Sequence, residues 1–198
     1  MKVMLVTGVP GTGKTTLAKK LAKKLGYFYL DVNKVISKHK LSEGYDRNRK
    51  TKIVGVDKLN KKLIGVIEKS KINGIIIDSH LSHYLPKKYA DICIVTKCDI
   101  KELNKRLRKK KFHKNKIMEN VQAEIFDVCY NEAKERKHNV VVVDTTKSFN
   151  IKKLTQLELN ILQTFLGKLE SRMKEFWEVD TKHSYLMDFI YLVWLVES

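Results

Sequence analysis

A glycine loop between an apolar run and a helical pattern constrains this chain more than any other feature. Residues 8–15 read Gly8-Val9-Pro10-Gly11-Thr12-Gly13-Lys14-Thr15. That is the spacing G-x-x-x-x-G-K-[ST], which binds phosphate only when a strand precedes it and a helix follows. Val3–Thr7 supplies the strand, and Leu17, Leu21 and Leu25 supply the helix at four-residue intervals. Glycines let the backbone curl so that successive N–H groups face phosphate oxygens. The helix that opens at Lys14 adds unpaired N–H groups and the positive end of its dipole. In this arrangement Gly11 and Gly13 shape the cradle and Lys14 reaches the β- and γ-phosphates of a nucleoside triphosphate. The Thr15 hydroxyl is a ligand for Mg²⁺, and Thr16 meets the α-phosphate.

Four more β-branched runs follow: Tyr27–Asp31, Gly74–Asp78, Ile92–Thr96 and Val140–Asp144. Helical patterns separate them. Leu59, Leu63, Val66 and Ile67 mark one, and Leu103 and Leu107 another. Ile117, Val121, Ile125 and Val128 mark a single longer helix. Strands alternating with helices predict an α/β fold, a P-loop NTPase with a parallel five-stranded sheet flanked by helices. The unbroken Ile75-Ile76-Ile77 suits a sheet covered on both faces. The 198 residues suffice for one such domain, read here as residues 1–149. Residues 150–198 read as a helical C-terminal extension. Leu154, Leu157, Ile161, Leu162, Phe165, Leu169, Met173 and Phe176 trace one helical face, and the apolar run Tyr185–Val196 follows. That run is shorter than the roughly 20 apolar residues of a membrane span, so no transmembrane segment is expected.

The strand Gly74–Asp78 ends in a carboxylate, followed by Ser79 and His80. An apolar strand closing on Asp beside a phosphate loop is the Walker B arrangement, in which Asp78 holds Mg²⁺ directly or through water, although Asp at a strand end can also simply form a turn. His80 is positioned to orient water or meet the γ-phosphate, or simply to cap or pack. With His83 it forms too small a donor set for zinc. The segment Arg106–Lys116 is strongly basic. Arg106 and Lys110 are candidates to close over a transferring phosphate, and the same run suits RNA phosphates or a solvated turn. Lys and Arg total 40 against 22 Asp and Glu, a net charge of +18. That excess permits polyanionic partners such as RNA. Cys93, Cys98 and Cys129 form no Cys-x-x-Cys; Cys93 and Cys129 read as small buried hydrophobes, which predicts a reducing, cytoplasmic location.

Four stretches together resemble the adenylate kinase isoenzyme six family, the small archaeal and eukaryotic nucleotide kinases also known as ribosome-assembly factors. They are the loop at 8–16, Glu43-Gly44-Tyr45-Asp46, Asp78-Ser79-His80, and Glu119-Asn120-Val121-Gln122-Ala123-Glu124-Ile125-Phe126. The resemblance spans roughly residues 1–145. It implies an adenylate-kinase-like core with a monophosphate-binding arm near 31–54 and a short lid near 109–117. It implies transfer of the ATP γ-phosphoryl, with Mg²⁺, to AMP or a related nucleoside monophosphate, and ATP hydrolysis besides. It also implies contact with a platform protein of the small ribosomal subunit and with rRNA, in late maturation of that subunit. Where relatives carry a lid arginine that touches ATP, Lys110 stands here. Lysine keeps the charge and lacks the planar bidentate fork. Ser37 stands where eukaryotic relatives place an arginine in the arm, with Lys38 beside it and Arg47 or Arg49 as substitutes. A shikimate-type kinase is a poorer match, because the Glu-Gly-Tyr-Asp and Asp-Ser-His elements are foreign to that group.

Overall fold

The computed structural model describes residues 1–46 and 51–147, together with residues 167, 171 and 173. The chain divides into two units, Met1–Ile161 and Leu162–Ser198. In the second, Gly167, Ser171 and Met173 are helical. The remaining tail positions expected to form an amphipathic helix lie outside the described residues, as do Arg47 and Arg49 of the arm.

Five parallel strands carry the first unit: β1 (Lys2–Thr7), β2 (Phe28–Asp31), β5 (Gly74–Asp78), β6 (Ile92–Lys97) and β7 (Val140–Asp144), in the order β2-β5-β1-β6-β7. All five were expected, with ends correct to one residue. The three inner strands are buried on both faces, and their middles are apolar because neither face meets water, with polar residues such as Thr7, Asp78 and Thr96 gathered at their C-terminal ends. At the edges the pattern relaxes, and Phe28 and Val142 are exposed. A separate antiparallel hairpin, β3 (Ser42–Asp46) and β4 (Thr51–Val54), lies within the stretch expected to form the arm.

Helix α1 (Lys14–Leu25) buries Leu17, Ala18, Leu21 and Ala22 and turns Lys19, Lys20, Lys23 and Lys24 to solvent. The short α2 (Val32–Lys38) is capped by Asp31, whose carboxylate accepts the Asn33 N–H. Helix α3 (Val56–Lys69) buries Leu59, Leu63 and Ile67. Asp99 caps α4 (Ile100–Lys109) by accepting from the Lys101 and Glu102 amides. The single helix expected across Ile117–Val128 is two: α5 (Lys114–Ile125) and α6 (Val128–Glu135). Asp127 breaks it with a left-handed backbone, φ 55°, and its carboxylate pairs with Lys97 on β6. The face that α5 buries holds Asn120 and Glu124, whereas Ile125 is exposed. Glu124 earns its burial by accepting the Cys98 N–H at 2.8 Å. Cys129, expected to be buried, is only partly so.

One core cluster joins β1, β5 and β6 to α3, and includes Leu5, Ile75, Ile77, Leu59 and Leu63. A smaller one gathers Val9, Cys98, Leu103 and Leu107 directly beneath the glycine loop.

Candidate nucleotide site

Sheet register sets the two halves of the site side by side. Val6 pairs with Asp78 across β1 and β5, and the Ser79 N–H donates to the Val6 carbonyl at 3.1 Å. The carboxylate that ends β5 therefore stands next to the loop that leaves β1. The loop itself needs glycine for two separate reasons. Gly8 has φ 135°, and a Cβ there would stand 2.5 Å from the Thr96 carbonyl oxygen. Gly11 has φ 98°, and its Cβ would meet Leu103 and Leu107 of α4 at 2.9 Å. Both positions combine a left-handed backbone with a contact that leaves no room for a side chain.

Hydroxyls hold the loop from behind. Thr12 Oγ1 donates to the Val9 carbonyl at 2.8 Å and lies 2.6 Å from Thr96 Oγ1. Thr96 Oγ1 is also bonded to the Thr7 carbonyl at 3.1 Å. Thr145 Oγ1 is hydrogen-bonded to the carbonyls of Lys97 and Thr12. Thr7, Thr12, Thr96 and Thr145 are all buried.

A cleft of about 770 Å³ opens over the loop. Gly11, Gly13, Lys14, Thr15, Thr16, Asp78, His80, Arg106 and Lys110 all line it, whereas Ser37 and Lys38 of the expected arm do not. Lys14 donates to the Val9 carbonyl at 3.0 Å. Its pKa is lowered to about 8, chiefly by desolvation, with Asp78 opposing the shift and Lys110 adding to it. Desolvation and the Lys14 charge push His80 down to about 4. Its ring is nonetheless open to the cleft on one side, and it is neutral at pH 7. Arg106 is already engaged: Nε donates to Glu102 at 2.9 Å, and one terminal amine donates to the Thr145 and Thr146 carbonyls. It fastens α4 to the end of β7 and presents its remaining edge to the cleft. Lys110 ends α4 and opens the short turn toward α5. Lys111 follows with φ 57°.

The donors present suit Mg²⁺. Asp78 is 4% exposed, and Thr15 offers a hydroxyl to the same cleft. No group of three or more His, Cys, Asp or Glu side chains able to hold a metal occurs among the described residues. A hard cation bound by one carboxylate, one hydroxyl and phosphate oxygens, with waters completing its shell, matches how Mg²⁺ is usually held.

Sequence reasoning missed four contributors. Tyr29 Oη donates to Asp78 Oδ2 at 2.8 Å. Asn33, Thr145 and Lys147 line the cleft. Only strand register and the return of β7 bring these groups to the loop, and no local motif marks them. A second cavity, of about 480 Å³, shares Pro10 and His80 with the first and carries Lys111, His113 and Lys116 from the turn and α5. Beside it His83 is buried with both ring nitrogens occupied, Nδ1 by Thr7 Oγ1 at 2.7 Å and Nε2 by Glu132 at 2.8 Å.

Residues 4–127 match the model of the AAA domain family. The chain is 38% identical over 141 residues to a protein of Methanocaldococcus jannaschii named "Putative adenylate kinase", covering 71% of this chain and 75% of that one. It is 33% identical over 132 residues to the adenylate kinase isoenzyme 6 homolog of Caenorhabditis elegans, covering 67% and 72%. Among solved structures, deoxyadenosine kinase from M. mycoides with bound dATP superposes with a TM-score of 0.50 at 18% identity, over 82% of this chain and all of that one. That likeness concerns the fold alone. No helix among the described residues is long and apolar enough to cross a membrane.

Proposed function

The chain belongs to the adenylate kinase isoenzyme 6 family, and from that premise we propose that it transfers the γ-phosphoryl group of Mg-ATP to AMP or a related nucleoside monophosphate. The observation that carries this reading is the convergence of Lys14, Thr15, Asp78 and Lys110 on one cleft. Lys14 neutralises the oxygens of the transferring group, and the glycine-loop amides hold the phosphates behind it. Thr15 and Asp78 would hold Mg²⁺, which would offset phosphate charge. Lys110 and Arg106 approach from α4, with Lys110 serving as the lid cation. The monophosphate supplies the attacking oxygen, so no side chain need act as nucleophile and the protein contributes alignment and charge.

Water can take the acceptor's place. His80 is neutral at pH 7 and open to the cleft, so it can orient that water, and this favours a second, slower ATPase activity. The net charge of +18 supports extending the reading to rRNA and a small-subunit platform protein as partners. Incubation with Mg-ATP, alone and with AMP, dAMP, CMP or UMP, tests the proposal. Nucleoside diphosphate formed from both substrates is the expected product. Lys14→Ala is expected to slow it by about 10²–10³-fold, the usual cost of removing one transition-state charge contact. Only ADP and free phosphate, whatever acceptor is offered, would instead identify an ATPase.

A further inference from the structure

The Mg²⁺ ligands just assigned have a neighbour that the reaction does not itself require. Tyr29 lies on β2, the strand at the edge of the sheet, and pairs in register with Ile76 of β5. From there its side chain reaches the end of β5, where Oη donates to Asp78 Oδ2 at 2.8 Å. The phenol is thus bonded directly to one of the two side chains that would hold the cation. A phenol is ordinarily protonated near neutral pH, so the hydroxyl is the donor in this bond. A carboxylate has about four lone-pair sites, and one neutral donor leaves the others for a cation or its waters.

We propose that Tyr29 is a positioning residue for the metal site, fixing the rotamer of Asp78 through its hydroxyl so that the carboxylate meets the cation without reorganising. The inference rests on the Mg-ATP reading above. Partners that orient a metal ligand commonly change metal affinity by about 10–100-fold when removed. Tyr29 has few substitutes in this role. Its ring spans the distance between the edge strand and the Asp78 carboxylate, and a phenol donates without adding charge to the site. The Lys19 ammonium lies over the ring, 5.6 Å from its centroid.

Tyr29→Phe removes the hydroxyl and keeps the ring. The measurement is Mn²⁺ binding to the ADP complex by electron paramagnetic resonance, set beside ADP binding in EDTA. The expected result is Mn²⁺ affinity about tenfold weaker in Tyr29→Phe with metal-free ADP affinity unchanged. Unchanged or tighter Mn²⁺ binding would overturn the proposal. Equal losses in both titrations would overturn it too, because they would mark a general packing defect. Asp78→Asn separates the two levels of the argument. If it leaves wild-type Mn²⁺ binding intact, the metal site itself is misassigned, whereas a loss there with no effect at Tyr29 sinks only the positioning role. The wild-type protein gives a second readout should Tyr29→Phe not fold. Mg²⁺ added to its ADP complex is expected to perturb the near-ultraviolet tyrosine absorption, and an unchanged spectrum would count against the bond.

Discussion

Thr96 shows how much of the site depends on groups that never touch a ligand. Its hydroxyl lies 2.6 Å from Thr12 Oγ1 and is bonded to the Thr7 carbonyl, tying β6 to both ends of the glycine loop. Thr96→Val keeps the shape and deletes the hydroxyl. Thr12 keeps its bond to the Val9 carbonyl, but the buried Thr7 carbonyl loses this donor with no water to replace it, so the loss should cost about 1–3 kcal/mol of stability. Urea denaturation reads that cost. Because the loop is held less firmly, KM for ATP is expected to rise while kcat falls little. A variant as stable as the parent would mean that the hydroxyl chain is incidental. At this scale the sequence was legible where chemistry follows chain order. Gly11, Lys14, Thr15 and Asp78 announce themselves because a phosphate-loop motif is written residue by residue and the candidate metal carboxylate ends a strand. Thr96, Thr145 and Tyr29 were not legible. Each is an ordinary strand or strand-end residue whose role comes from the register of a neighbour far away in the chain. His83 was unreadable for the same reason, since its partners Thr7 and Glu132 stand 76 and 49 residues away.

Helix ends form a pattern at the next scale. In α2, α4 and α6 the residue after the cap is a lysine in the left-handed region: Lys40 at φ 50°, Lys111 at 57° and Lys137 at 59°. Each end closes with the same pair of bonds. For α6 they run from the Lys137 N–H to the Lys134 carbonyl and from the His138 N–H to the Ala133 carbonyl, a Schellman motif. Helix α1 ends instead on Gly26. Lysine at this position gains from the helix dipole and pays a conformational cost that glycine avoids. Lys137 is exposed, so Lys137→Gly should stabilise the fold by about 0.5–1 kcal/mol, seen as a higher urea midpoint with an unchanged m-value. A lower midpoint would show that the lysine's charge outweighs its backbone strain. These ends were hard to read because the usual signal, a glycine, is missing. The same difficulty hid the break between α5 and α6. Ile125, Phe126 and Val128 continue the apolar count, and only Asp127's pairing with Lys97 makes a left-handed turn worthwhile there. The β3–β4 hairpin escaped for a different reason. Ser42, Glu43 and Tyr45 are exposed and Ser-Glu-Gly-Tyr-Asp has no apolar alternation to find, whereas the inner strands were obvious because both of their faces are buried.

Across the whole molecule, charge and burial act against each other, and acid exposes the conflict. The chain carries +18 at neutral pH. His80, His83 and His138 all have pKa values below the ordinary histidine value, to about 4 for His80, with desolvation the leading cause in each. Unfolded, these groups return to about 6.5. Below that pH the unfolded chain therefore binds more protons than the folded one, so stability is greatest above about 6.5 and falls as pH drops toward the folded values. Each proton also joins an already cationic surface, which deepens the loss. Glu124, raised by desolvation, works in the opposite direction, but only nearer the carboxylate range, so the histidine effect should be cleanest between pH 7.5 and 5.5. The expected outcome is a Tm that declines through this interval. It should recover partly between 0.05 and 0.5 M salt, because shortening the Debye length to a few ångströms screens surface repulsion and leaves the burial of His83 and His138 untouched. His83→Gln should flatten the pH slope even where it lowers Tm outright, since it deletes one of the groups that must stay neutral. A decline that salt abolishes completely would assign the whole effect to surface charge. A Tm that stays level from pH 7.5 to 5.5 at every salt concentration would mean that the three imidazoles accept protons inside the fold, which the bonds of His83 to Thr7 and Glu132 and of His138 to the His83 carbonyl would then have to accommodate.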